Sequence, residues 1–82
     1  MFFVYILYSS SVDQFYIGQT NNLEERISRH NSGRSKSTKK ANDWVSRYSE
    51  SFETRSEAVK RELQIKNMKS RRYIENLINP SS

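Results

Sequence analysis

The chain has 82 residues, enough for one small domain built on a single sheet with a few helices, and no separate binding domain. Lys and Arg number 14 against 9 Asp and Glu, and the net charge of +5 favours a polyanionic partner such as nucleic acid. With no cysteine there is no disulfide framework and no thiolate metal site, and no apolar run approaches the roughly 20 residues of a membrane span.

The chain begins MFFVYILYSS. It lacks a basic leader region and reads as a strand rather than a signal peptide, so a cytoplasmic setting is expected. Two runs rich in tyrosine and β-branched residues, at about 2–8 and about 14–18, flank the polar break SSSVDQ. Ser and Asp there can bond their own backbone, so the pair reads as a hairpin. Each strand carries a tyrosine, Tyr5 and Tyr16, and the second ends in Gly18.

A helix is expected over about 22–32. Asn21 or Asn22 can cap it, Glu24 and Glu25 lie in its first turn, and Gly33 stands past its last. Measured from Leu23 at about 100° per residue, Ile27 falls near +40°, His30 near −20° and Arg26 near −60°. Arg26 and His30 therefore share the face that packs on the sheet. An arginine at the edge of a buried stripe either snorkels with a paired head group or reaches into a site.

Residues 34–43 form a basic polar loop carrying Arg34, Lys36, Lys39 and Lys40. Such a loop is solvated by default, and beside nucleic acid it is a natural phosphate contact. Mobility without a ligand is expected. A third strand over about 44–52 places Trp44, Ser46, Tyr48, Glu50 and Phe52 on one face by alternation. Alternation does not explain Glu50, which has either solvent or a basic partner to turn to.

Thr54, Arg55, Ser56 and Glu57 have the form of a capping box and open a helix over about 55–68. Its apolar arc takes in Val59, Leu63, Ala58 and Ile65, and Glu62 falls in the middle of that arc. A carboxylate there needs a partner. Two readings stand level: a helix salt bridge to Lys66, four residues on, or a metal ligand. Ser70 can cap a last helix over about 71–78, with Tyr73, Ile74, Leu77 and Ile78 as its packing face. Arg71 and Arg72 at its start gain nothing from the helix dipole, which points to an external anion. Residues 79–82 are a frayed tail.

One histidine, no cysteine and no evident carboxylate pair argue against a cysteine nuclease, a glycosidase dyad and a zinc site. The remaining groups can run phosphodiester hydrolysis. That reaction needs a deprotonated water, a neutralised phosphate and a stabilised leaving oxygen.

The residues VYI at 4–6, YIG at 16–18, NNLEERISRHN at 21–31 and SEAVKRELQIK at 56–66 resemble the GIY-YIG endonuclease domain. The resemblance runs from about residue 1 to about 78, as one domain. Only the first motif departs, with Val4 where the family has Gly, and that Gly is not a catalytic side chain. The resemblance implies an α/β fold of order β-β-α-β-α-α, a small three-stranded antiparallel sheet flanked by helices with the first strand central. It implies a one-metal DNA endonuclease whose matched residues are Tyr5, Tyr16, Arg26, His30 and Glu62. Glu62 would hold a single Mg²⁺ or Mn²⁺, and with the resemblance the metal reading of Glu62 takes precedence. Either tyrosine could be the base, with Tyr5 favoured. Gly18 allows close backbone approach, and Lys66 and Arg71 join the loop cations as DNA contacts. The DNA would be duplex, branched or single-stranded, the setting DNA repair or recombination, the protein a monomer without a small-molecule cofactor. A nucleic-acid-binding module of the same fold that cuts poorly is the alternative.

Overall fold

The computed structural model describes residues 1–36 and 38–80. Its elements are β1 (Phe2–Ser9), β2 (Gln14–Thr20), α1 (Leu23–Asn31), β3 (Val45–Phe52), α2 (Arg55–Met68) and α3 (Arg71–Ile78). The fold is the expected α/β arrangement, and its antiparallel sheet has the order β2-β1-β3 with β1 in the centre.

Local chemistry sets most of the boundaries. Asn22 caps α1 by accepting from the Glu25 amide. Thr54 and Glu57 form the full capping box of α2. Ser70 caps α3 through the Tyr73 amide. Gly33 adopts a φ of +80° just past α1, a conformation that suits glycine at a helix end. Asn79 closes α3 by donating its backbone N–H to the Glu75 carbonyl at 2.9 Å. Of the tail expected at 79–82, residues 81 and 82 lie outside the described residues.

Because side chains alternate along a strand, β1 feeds two cores. Tyr5 and Leu7 pack with Trp44 against Tyr16, Leu23 and Ile27, on the α1 side. Val4 packs with Ala58 and Ile65 against Phe2, Ile17, Phe52, Tyr73, Ile74 and Leu77, on the side of α2 and α3. The sheet is thus the middle layer, and the hairpin tyrosines face α1.

Two expectations change. Trp44 does not share a core with Phe52. The β1–β3 register jumps from Ile6↔Tyr48 to Leu7↔Ser46, a bulge that leaves Arg47 as the extra residue. A bulge reverses the alternation beyond it, so Trp44 joins Leu7 on the opposite face. Leu63 is not in the packing arc of α2 but 52% exposed. Ala58 and Ile65 carry the burial, and two residues from Ile65 is about 200° around the helix. The basic loop is tied down at its ends. Asp43 accepts from the Ser9 hydroxyl at 2.5 Å and from the Ser11 amide at 3.0 Å. Asn31 brackets Trp44, accepting from its amide at 2.7 Å and donating to its carbonyl at 2.9 Å.

Glu50, unexplained by alternation, takes the basic partner. The Arg61 guanidinium binds it through Nε at 3.0 Å and Nη2 at 2.9 Å, and the Tyr48 hydroxyl donates to it as well. Arg61 also donates to the Tyr73 hydroxyl at 3.2 Å, so one half-buried ion pair ties β3 to both C-terminal helices.

Candidate active site

Tyr5 and Gly18 are register partners on adjacent strands. A Cβ at position 18 would lie 2.6 Å from Tyr5 Cζ and 3.2 Å from the Tyr16 ring. The close approach that Gly18 permits is therefore that of the Tyr5 phenol, which passes over it toward the β2 edge of the sheet. Sequence reading expected Gly18 to admit a backbone approach, and the structure shows which group makes it.

α1 closes over this spot. Tyr5 Oη lies 3.0 Å from His30 Nε2, and His30 Nδ1 lies 2.7 Å from Thr38 Oγ1. Tyr5 and His30 are each 1% exposed and Thr38 is fully buried. The Tyr16 ring is tilted against His30 at 4.7 Å between centroids, and the Tyr5 ring is 6.3 Å from that of Tyr16. The three rings form one cluster beneath α1.

Arg26 stands one helical turn before His30 on the same face. Its Nε is buried without a hydrogen-bond partner, and no carboxylate among the described residues is paired with it. An orphaned guanidinium nitrogen costs about 1–3 kcal/mol. The snorkelling reading required a paired head group, and the structure provides none. The contrast with Arg29 is clear: one turn further round, it pairs with Glu25 at 3.2 Å on the surface.

Glu62 approaches from α2, half-buried, with Lys66 Nζ 2.6 Å from its Oε2. The helix salt bridge read from the sequence is therefore present, and the Glu62 charge also bears on Tyr5 electrostatically. Burial, the Tyr16 phenol and the Glu62 charge raise the Tyr5 pKa above its ordinary phenol value, against a lowering by Arg26. Tyr5 is thus a neutral phenol at neutral pH. Burial, and then the charges of Arg26 and Arg29, push His30 below its ordinary value, so its ring is a neutral imidazole.

A divalent cation fits the donors present. Among the described residues there is no group of three or more His, Cys, Asp or Glu. A single carboxylate suits a hard cation that keeps most of its waters and binds substrate phosphate. Glu62 is the residue that would hold it.

The loop cations Arg34, Lys36, Lys39 and Lys40 are all exposed after α1. Arg71 is engaged within the chain. Its guanidinium pairs with Asp13 at 2.6 Å and Glu75 at 3.2 Å, and it lies 5.0 Å over the Phe15 ring. The anion expected outside the chain is, for Arg71, supplied by Asp13. Sequence reading missed Thr38, Asn31 and Asp43. Their partners lie 8, 13 and 34 residues away and no periodic pattern marks them.

A model of the GIY-YIG catalytic domain matches residues 1–76, and the chain belongs to the GIY-YIG family of nuclease domains. It is 42% identical over 65 residues to the UPF0213 protein SH2523 of Staphylococcus haemolyticus, covering 78% of each chain. It is 35% identical over 69 residues to the UPF0213 protein VNG_2274C of Halobacterium salinarum, covering 83% of this chain and 88% of that one. The solution NMR structure of the UPF0213 protein BH0048 from Bacillus halodurans superposes with a TM-score of 0.61 at 30% identity, over 99% of this chain and 86% of that one.

Proposed function

We propose that this protein is a divalent-metal-dependent endonuclease that hydrolyses DNA phosphodiester bonds. The observation that carries the reading is the orphaned Nε of Arg26, buried one turn from a Tyr5–His30 pair. A phosphate oxygen is the acceptor that this nitrogen lacks, and the planar guanidinium fork matches phosphate geometry.

Arg26 binds the scissile phosphate and offsets the charge that builds on it. Tyr5 takes a proton from the attacking water as its own phenolic proton passes to His30 Nε2. The phenol is uncharged before and after, and the positive charge ends on the imidazolium. The neutral ground state of His30 leaves it free to accept. Tyr16 orients the phosphate. When bound at Glu62, Mg²⁺ or Mn²⁺ supplies charge neutralisation on the leaving side. The loop cations and Lys66 hold the flanking phosphates, a contact that carries no base readout, so sequence preference is weak.

DNA repair or recombination is the setting such an activity serves. We place the protein in the cytoplasm as a monomer. No helix among the described residues is long and apolar enough to cross a membrane.

A binding module that cuts poorly is the second reading, and the Lys66 contact with Glu62 favours it by occupying a carboxylate oxygen. Cleavage of duplex, branched and single-stranded DNA in Mg²⁺, Mn²⁺ or EDTA decides between them. Metal-dependent cutting that disappears in Glu62→Ala supports the nuclease. Folded wild-type protein that retains DNA in a salt-sensitive way and cuts none of these substrates overturns it.

A further inference from the structure

His30 is held at both ring nitrogens, and its second partner has no assigned role. We infer that Thr38 is a positioning residue that fixes His30 as the Nδ1–H tautomer, leaving Nε2 free to receive the Tyr5 proton. This rests on the proposed nuclease chemistry for its purpose but not for its geometry.

A neutral imidazole carries one N–H, and the partner of one nitrogen decides which nitrogen carries it. Two arrangements suit the heavy atoms. In the first, Tyr5 donates to Nε2 and Nδ1–H donates to Thr38 Oγ1. In the second, the Thr38 hydroxyl donates to Nδ1 and Nε2–H donates to Tyr5. The acidity of the donors separates them. A phenol, with an ordinary pKa of about 10, is a far stronger donor than an aliphatic hydroxyl. Each arrangement leaves one buried hydroxyl without an acceptor for its proton among the described residues, Thr38 in the first and Tyr5 in the second, and the unmet donor is costlier for the more acidic phenol. Once His30 is protonated, both ring nitrogens donate, and a Thr38 oxygen already accepting needs no reorientation.

Thr38 itself is fixed. It is fully buried, its backbone N–H donates to the Ser35 carbonyl at 3.2 Å, and its carbonyl accepts from Trp44 Nε1–H at 2.9 Å. Trp44 is in turn bracketed by Asn31, the residue after His30. These contacts hold the Thr38 backbone in place beside the ring. Lys36 and Lys39 flank this anchor, so the segment that meets DNA is also the one that sets the histidine.

His30 is the one histidine in the chain, so its ¹⁵N imidazole resonances can be assigned without ambiguity. The groups facing it are Tyr5 from β1, Tyr16 from β2, Arg26 and Arg29 on α1, and Thr38 from the loop. The test records these ¹⁵N shifts above the titration of His30 in the wild type, Thr38→Ser and Thr38→Val, alongside kcat, KM and the pH profile. The wild type and Thr38→Ser should show a protonated Nδ1 and an acceptor Nε2. Thr38→Val should show a mixture or the opposite tautomer. Its kcat should fall about ten- to hundredfold with KM little changed, and Thr38→Ser should recover most of the loss. An Nε2–H tautomer in the wild type overturns the inference even if no variant folds and no substrate is cut. Equal losses in Thr38→Ser and Thr38→Val, with the tautomer unchanged, overturn it in favour of a packing role.

Discussion

Tyr5 and Gly18 sit opposite each other across the β1–β2 ladder, and the phenol of one fills the space that a side chain on the other would need. Gly18→Ala would push the new methyl onto Tyr5 Cζ, in a strand that cannot easily move. The variant should lose about 1–3 kcal/mol of stability to overpacking in urea unfolding. Its cleavage should fall by more than the folded fraction explains, because the displaced phenol no longer meets His30. Wild-type kcat in folded Gly18→Ala would show that the phenol position is not critical.

Arg26 should trade stability against activity. Arg26→Met removes a buried nitrogen that has no partner, so the unfolding free energy from urea titration should stay level or rise by up to ~1 kcal/mol. Cleavage should drop by about 100-fold or more, the scale seen when one charge-stabilising donor is removed. Arg26→Lys keeps the charge without the planar fork and should recover only part of this. A clear loss of stability in Arg26→Met would mean that the guanidinium has a structural partner after all.

Lys66 should compete with the metal for one carboxylate oxygen. Lys66→Met should lower the Mg²⁺ concentration for half-maximal cleavage several-fold, because binding the ion no longer displaces an ammonium. Titration calorimetry of Mg²⁺ reads the same shift without substrate. DNA affinity should weaken, with the salt slope reduced by about 1. Glu62→Gln should bind DNA yet show no metal dependence. A Mg²⁺ requirement unchanged in Lys66→Met would remove the competition.

The pH dependence should follow His30. On the proposed chemistry cleavage needs the neutral imidazole, and the folded protein holds its pKa below the ordinary value of about 6.5. The acid limb of kcat should therefore lie below about 6.5 and move when Arg26 is replaced. The same shift links to folding. The unfolded chain binds the His30 proton first, so its stabilisation is complete above about pH 6.5 and is lost as pH falls through the lower folded pKa. An acid limb above 6.5 would count against His30 as the acceptor.

The elements and all three helix caps were legible because each rests on short-range signals: period-2 runs, Asn22, Thr54 with Glu57, and Ser70; the central place of β1 followed from the family resemblance alone. Helical spacing also put Arg26 and His30 on one face, and four-residue spacing foresaw the contact of Lys66 with Glu62. Trp44 was misplaced because period-2 reasoning assumes an unbroken ladder, and the bulge at Arg47 leaves no mark in the letters. Leu63 was misplaced because α2 buries so few apolar groups that its sequence defines no single stripe. Thr38 and Asp43 are polar residues in a polar loop, and only their distant partners distinguish them.

The Tyr5–His30 contact also has a bearing on how the chain is made. It spans 25 residues of sequence, and Glu62 comes a further 32 residues after His30 (62 − 30). A nascent chain that has released only residues 1–31 carries Tyr5, Tyr16, Arg26 and His30 without Glu62. On the proposed chemistry, the set Tyr5, Arg26, His30 and Glu62 is complete only once α2 has been translated.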